Sequence, residues 1–231
     1  PEPTSSAKII IVGNAKCGKS SLIRRYSQRE FTPVYDVTYG ADYTKRDVAI
    51  RDVGNKVSCC RLQMWDIAGQ DRFAKLTRAY FSNASGAVIV CDVTRRNTLT
   101  AVKAWREEIT NCLGADIPVI LFANKSDCVK GGKSTLAIGA ECSRICEELG
   151  LYKWYFACAK DGDNVDDGFN QLVREMLRRR RMKEKEEEEE EGVGKGKGIG
   201  IGKGKEEGRG FILDQKQVIS EKLAIDSCRI L

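Results

Sequence analysis

The chain has 231 residues, 42% hydrophobic and 31% charged, with a formal net charge of +6. That length suits one domain of ordinary size plus an appendage, and the longest apolar run, Ile117 to Ala123, falls far short of the ~18 residues a membrane helix needs. The chain has no histidine, which excludes Ser-His and Cys-His catalysis and histidine-bearing zinc sites. The ten cysteines lie in strand-like and helix-like segments, and the first residues carry no signal-peptide stretch, so reduced thiols are expected. Residues 1–181 hold 29 basic and 21 acidic side chains, and 182–231 hold 10 and 12. No basic run is interleaved with aromatics, so nucleic acid is not an expected partner.

Short apolar runs alternate with amphipathic stretches from residue 8 to 181. Ile9 to Val12 reads as a first strand and Lys19 to Gln28 as a helix. Ala41 to Arg51 and Val57 to Trp65 alternate in polarity around the turn signal Asp52-Val53-Gly54-Asn55, which predicts an antiparallel hairpin. Further strands are expected at Ala87 to Cys91, Ile117 to Ala123 and Tyr152 to Ala157. Helices are expected at Thr98 to Cys112, Ser134 to Leu149 and Asn164 to Arg181, the last with Val165, Phe169, Leu172, Val173 and Met176 on one face. The order implies an α/β layer fold: a six-stranded, mostly parallel sheet with one antiparallel edge strand and helices on both faces.

Composition changes after Arg181. Glu186 to Glu191 is an unbroken acidic run, and Gly192 to Gly210 alternates glycine with lysine, isoleucine or glutamate. The expected organisation is a flexible N-terminus over 1–7, a folded domain over 8–181, a coil linker over 182–210 whose acidic start can prolong the preceding helix, and a terminal attachment segment over 211–231.

Gly13-Asn14-Ala15-Lys16-Cys17-Gly18-Lys19-Ser20 joins the first strand to the first helix, the context of a phosphate-binding loop. Backbone amides from Gly13, Ala15, Lys16, Cys17 and Gly18 through to Ser21 can wrap phosphates, Lys19 can reach the β and γ phosphates, and the Ser20 hydroxyl can ligate Mg²⁺. Asn124-Lys125-Ser126-Asp127 ends an apolar strand. The Asp127 carboxylate can accept from the N1 and N2 hydrogens of guanine, a pattern adenine does not present, while Lys125 covers the base. Cys158-Ala159-Lys160 ends the next strand, where it can contact the same base. In Asp66-Ile67-Ala68-Gly69-Gln70 the acidic residue can hold Mg²⁺ through water, the Gly69 amide can sense a γ phosphate, and Gln70 can orient an attacking water. Thr38 can supply a second hydroxyl to Mg²⁺ when the γ phosphate is present. The expected catalytic residues are therefore Gln70, Lys19 and Thr38, and the expected metal ligands Ser20, Thr38 and Asp66.

With these motifs in order, residues 8 to about 181 resemble the Ras superfamily of small GTPases, and within it the Rab branch. The likeness rests on Trp65-Asp66-Ile67-Ala68-Gly69-Gln70-Asp71-Arg72-Phe73, on Thr38-Tyr39-Gly40-Ala41-Asp42-Tyr43 and on Tyr80-Phe81. Ile67, with Leu76-Thr77-Arg78-Ala79-Tyr80 and Cys158-Ala159-Lys160-Asp161, is similar to the Rabs that serve lysosome-related organelles. The resemblance implies a Ras-like P-loop NTPase fold and a GTP/GDP-cycling switch with Mg²⁺ that regulates vesicle traffic. It also implies that Phe31 stacks beside guanine, that Tyr35 closes over the phosphates, and that Tyr43, Trp65 and Tyr80 form an aromatic patch read by effectors. The implied partners are an exchange factor, a GTPase-activating protein, effectors and a prenyl-chaperone protein. The implied location is the cytoplasm, cycling to the cytoplasmic face of endomembranes. Ala15 stands where glycine is common in Ras proteins, and Tyr39 where isoleucine is usual. Cys228-Arg229-Ile230-Leu231 has the terminal cysteine and leucine that favour geranylgeranylation of Cys228. Two other readings stand beside this one: a soluble GTP-stabilised scaffold with a docking tail, and a P-loop ATPase, against which Asn124-Lys125-Ser126-Asp127 argues.

Overall fold

The computed structural model describes residues 3, 5–34, 36–51, 57–69, 79–129, 131 and 133–194. Tyr35, the 52–55 turn, Gln70 with the residues through Arg78, and Cys228 with the rest of 195–231 lie outside the described residues.

Six strands form one sheet in the order β2-β3-β1-β4-β5-β6: β1 Ser5–Val12, β2 Ala41–Arg51, β3 Val57–Ile67, β4 Gly86–Asp92, β5 Val119–Asn124 and β6 Lys153–Ala157. β2 is an edge strand antiparallel to β3, in register from Ala41 opposite Ile67 to Arg51 opposite Val57. The other pairings are parallel. The described helices are α1 Lys19–Gln28, α2 Arg96–Thr100, α3 Val102–Leu113, α4 Lys133–Glu148 and α5 Val165–Gly194, with a 3-10 turn at Ser126–Val129.

Alternation along β1 divides the core between the two sheet faces. Ile9 and Ile11 pack with Leu22 and Tyr26 of α1 and Phe169, Leu172 and Val173 of α5. Ile10 and Val12 pack with Trp105 and Ile109 of α3 and Cys142 and Ile145 of α4. β4 and β5 are buried along their whole length, as strands covered on both faces must be. Each such Ile, Leu or Phe contributes about 1.5–3 kcal/mol through the water it excludes, which ties both helical layers to the sheet that carries the site.

Two boundaries differ from the sequence expectation, and a third follows the acidic run that was expected to be able to prolong the last helix. β1 begins at Ser5, inside the segment expected to be flexible, because Ser5, Ser6 and Ala7 pair with Cys60, Arg61 and Leu62 of β3. The single helix expected at Thr98 to Cys112 is two helices meeting at Ala101. The Thr98 hydroxyl accepts from the Asp92 amide and lies within hydrogen-bond distance of the Arg95 and Asp92 carbonyls, which ties the first of these helices to the end of β4. α5 runs past Arg181 to Gly194, through the first part of the expected linker. No glycine or proline interrupts 182–191, and Arg180 pairs with Glu184 one turn on. The described residues up to Glu187 form one compact unit. Among the described residues no helix is long and apolar enough to cross a membrane, and all nine described cysteines are free thiols.

Glu175 is buried on α5 and receives Arg178 at 2.7 and 2.8 Å and Arg179 at 2.7 Å. The Arg178 guanidinium, against the effect of burial and with Arg179 beside it, pulls the carboxyl down to about 2. A carboxyl depressed by folding contributes stability above its unfolded pKa and loses it as pH falls towards the folded value. Wild-type stability is therefore expected to fall between about pH 4.5 and pH 2 more steeply than that of Glu175→Gln, measured as the urea midpoint across that range.

Candidate functional site

The site lies at the carboxyl ends of the parallel strands, where open α/β sheets bind ligands. A cavity of about 430 Å³ opens there. Its wall is formed by Ala15, Lys16, Gly18, Lys19, Ser20 and Ser21 of the first loop and helix; by Phe31, Thr38 and Gly69; and by Asn124, Lys125, Asp127, Cys158, Ala159 and Lys160. Six separate parts of the sequence therefore meet on one cavity. Gly13 and Cys17 do not line it. Arg24, Thr32, Pro33, Val34, Asp36, Val37 and Cys128 complete the wall and carry no motif of their own.

Gly18 caps α1 without a side-chain hydrogen bond, at φ +90°, and a Cβ there would meet Asn124 Nδ2 at 2.4 Å. The first-turn amides of a helix have no intrahelical acceptor and favour an anion, so this helix start presents donors to a ligand in the cavity. Gly69 approaches from the other side. A Cβ on it would lie 2.3 Å from the Ala15 nitrogen, so only glycine allows this segment to press against the loop. Lys19 is 6% exposed and donates to the Gly13 carbonyl at 3.0 Å and the Asn14 carbonyl at 3.3 Å. Burial lowers its pKa, with the Asp66 charge opposing.

Ser20, Thr38 and Asp66 come together as one cluster. The Ser20 hydroxyl donates to Asp66 Oδ2, the Thr38 hydroxyl reaches the same oxygen at 3.3 Å, and the two hydroxyls are 3.1 Å apart. Asp66 is 3% exposed, and its other oxygen, Oδ1, is buried with no hydrogen-bond partner. Burial pushes this carboxyl above its usual range while Ser20 and Lys19 pull it back. A buried carboxylate oxygen without a donor is costly unless a cation meets it. Two hydroxyls and one carboxylate form an all-oxygen donor set suited to a hard cation, so these residues fit Mg²⁺.

At the opposite end, Asn124 is 1% exposed and joins three loops. Its Nδ2 donates to the Cys17 carbonyl at 2.8 Å, and its Oδ1 accepts from the Ala159 amide at 3.2 Å. The Cys158 thiol donates to Asp127 Oδ1 at 3.4 Å and accepts from the Asp161 amide at 3.3 Å. Burial raises its pKa, which keeps the sulfur protonated as a donor. Lys125 stands at φ +65° with its ammonium 2.7 Å from Asp92 Oδ2. Asp92 and Arg95 carry no motif and escaped the sequence analysis. The available signal was a carboxylate closing an otherwise apolar strand at the end where such sites form.

The three aromatic side chains expected to be exposed are brought together, but only Tyr43 is exposed; Trp65 and Tyr80 are half-buried against the core. Tyr43 lies opposite Trp65 in the β2–β3 register with ring centroids 5.1 Å apart, and Trp65 and Tyr80 are 5.9 Å apart. Lys8 stands 4.5 Å over the Trp65 ring, and Tyr43 and Tyr39 are exposed.

The sequence pattern describing the Ras family matches residues 8–178. Ras-related protein Rab-32C of Dictyostelium discoideum is 39% identical over 173 residues, covering 74% of this chain and 74% of that protein. Ras-related protein Rab-32 of Homo sapiens is 33% identical over 174 residues, 74% of each. Ras-related protein Rab-7L1 of Homo sapiens is 34% identical over 175 residues, 74% of this chain and 82% of its own length.

Removing the Asn124 amide frees two loops at once. Asn124→Ala is expected to weaken binding of a fluorescent guanine nucleotide about tenfold or more in equilibrium titration, from the loss of buried hydrogen bonds.

Proposed function

The chain belongs to the Ras family, as a Rab small GTPase near the Rab-32 group, and on that premise we propose that the cavity holds GTP or GDP with Mg²⁺ and that Thr38 and Gly69 report which nucleotide is bound. As a member of this family it hydrolyses GTP and serves membrane trafficking. The observation that carries the site reading is the clustering of Ser20 and Thr38, which line the cavity, on Asp66, whose Oδ1 is buried without a partner, in a cavity also lined by Asn124, Asp127 and Cys158.

In this reading the amides at the start of α1 hold the β and γ phosphates, and Lys19 turns from the loop carbonyls to their oxygens. Ser20, Thr38 and Asp66 would hold Mg²⁺, which supplies charge that offsets the phosphates. Asp127 accepts the N1 and N2 hydrogens of guanine, and Cys158 holds that carboxylate in place. Gln70 orients water towards the γ phosphorus. The new oxygen–phosphorus bond forms as the bond to the bridging oxygen breaks, leaving GDP and phosphate. Thr38 and Gly69 lose their γ-phosphate contacts at that point, and both segments relax.

Tyr43, Trp65 and Tyr80 form the effector surface in this reading, and exposed Tyr39 lies beside it. Cys228 carries a geranylgeranyl group on the strength of the terminal cysteine and leucine. A single lipid chain binds membranes reversibly, consistent with cycling between the cytoplasm and endomembranes by way of a prenyl-chaperone. An exchange factor and a GTPase-activating protein complete the cycle. The scaffold alternative, without turnover, is not favoured given the family.

The test uses the full chain loaded with GTP in Mg²⁺. Bound nucleotide is expected to be displaced by GTP and GDP and not by ATP. Single-turnover hydrolysis is expected to slow about tenfold or more in Gln70→Leu. Displacement by ATP, or an unchanged rate in the variant, would refute the roles of Asp127 and Gln70 respectively.

A further inference from the structure

The phosphate loop is held from outside through its carbonyl groups. Asn124 holds the Cys17 carbonyl at 2.8 Å, and Arg95 Nη2 holds the Ala15 carbonyl at 2.9 Å while lying 3.5 Å from Cys17 Sγ. In a trans peptide the carbonyl and the following N–H point in opposite directions. Fixing the Ala15 carbonyl towards Arg95 therefore turns the Lys16 N–H to the other side, towards the cavity that Ala15 and Lys16 line. Holding the Cys17 carbonyl does the same for the Gly18 N–H.

Arg95 is anchored in turn. Its Nε donates to Asp92 Oδ2 at 2.9 Å, and that same oxygen receives the Lys125 ammonium at 2.7 Å. Asp92 is 1% exposed and ends β4 beside Asn124 of β5. Its Oδ1 accepts the Thr94 amide at 3.0 Å and the Thr94 hydroxyl at 2.6 Å, and the Val93 amide donates to the Asn124 carbonyl at 3.0 Å. The carboxylate is thus a fixed post between two cations, one from the guanine-side loop and one reaching the phosphate side. The fork of a guanidinium serves two acceptors at once, which an ammonium at the end of a flexible stem does less well.

We propose that Arg95 is a positioning residue for nucleotide retention, fixing the phosphate-loop peptide at Ala15 and coupling it through Asp92 to Lys125 on the guanine side. The inference rests on the reading of the cavity as a guanine-nucleotide site. Arg95 touches neither base nor phosphate in this scheme, and it acts through the direction of one loop amide.

The test is release of fluorescent GDP from the full Mg²⁺-loaded chain, chased with excess GDP, together with the ³¹P resonance of the β phosphate of bound GDP. Arg95→Ala and the closer-shaped Arg95→Gln are expected to release nucleotide about tenfold faster, with Arg95→Lys intermediate. The β-phosphate resonance is expected to move in Arg95→Gln. Arg96→Ala is the control, since Arg96 is a neighbouring exposed cation paired with Glu141 at 3.7 Å. It is expected to release at the wild-type rate with its resonance unmoved. Release from Arg95→Ala and Arg95→Gln within about twofold of wild type, or faster release with an unmoved resonance in Arg95→Gln, would overturn the proposal in favour of a purely structural arginine. Failure of the wild-type chain itself to retain GDP would overturn the nucleotide-site reading beneath it, a result distinct from either.

Discussion

The direction of a few peptide planes between Gly13 and Lys19 is the constraint on which the rest of this molecule depends. A loop that is to hold phosphate must turn its amides inward, and each trans peptide then turns a carbonyl outward. Outward carbonyls buried under neighbouring strands need donors. Asn124 answers one of them and Arg95 another, and both hang from the carboxyl ends of β5 and β4. The parallel sheet thus does more than fill a core. Its strand ends deliver the donors that keep the loop facing the cavity, and the two helical layers keep those strand ends in register.

Charge is distributed to the same end. Lys19 and Asp66 are both nearly buried and opposite in sign, each shifted by burial towards its neutral form and drawn back by the other. Asp92 is buried as well. Although burial pushes its carboxyl up, Lys125, Thr94 and Arg95 together hold it below the usual carboxylate range. The difference lies in completion. Asp92 has donors on both oxygens, whereas Asp66 keeps Oδ1 without one. One carboxylate is a finished structural post, and the other has an oxygen left for the cation that the proposed reading places there.

Much of this was legible in the amino-acid sequence, for reasons that are local. The strands follow from apolar runs, the β2–β3 pair from alternation, and α1 from a glycine-capped start. The loops that line the cavity follow from residue types whose chemistry is tied to phosphate, guanine or a hard cation. Ser20, Thr38 and Asp66 were expected on one ion from their motif positions, and their side chains do lie together. What escaped depends on long-range pairing. The start of β1 at Ser5 is set by β3, more than fifty residues away in the chain. The fixed carboxylate of Asp92 depends on the Thr94 side chain folding back on the end of β4. Arg95 reaches Ala15 across eighty positions, and nothing in the spacing of either residue announces that contact.

On the proposed reading, the clamped loop, the carboxylate oxygen without a donor and the glycine pressed against Ala15 belong to a nucleotide site whose segments at Thr38 and Gly69 respond to one additional phosphate. The most direct measurement of that claim is amide hydrogen exchange of the full chain loaded with GDP and with a non-hydrolysable GTP analogue. Slower exchange over Val37 to Gly40 and at Gly69 in the analogue-bound form, with β1 and β5 unchanged between the two, is the predicted result. Equal exchange of those two segments in both forms would contradict it.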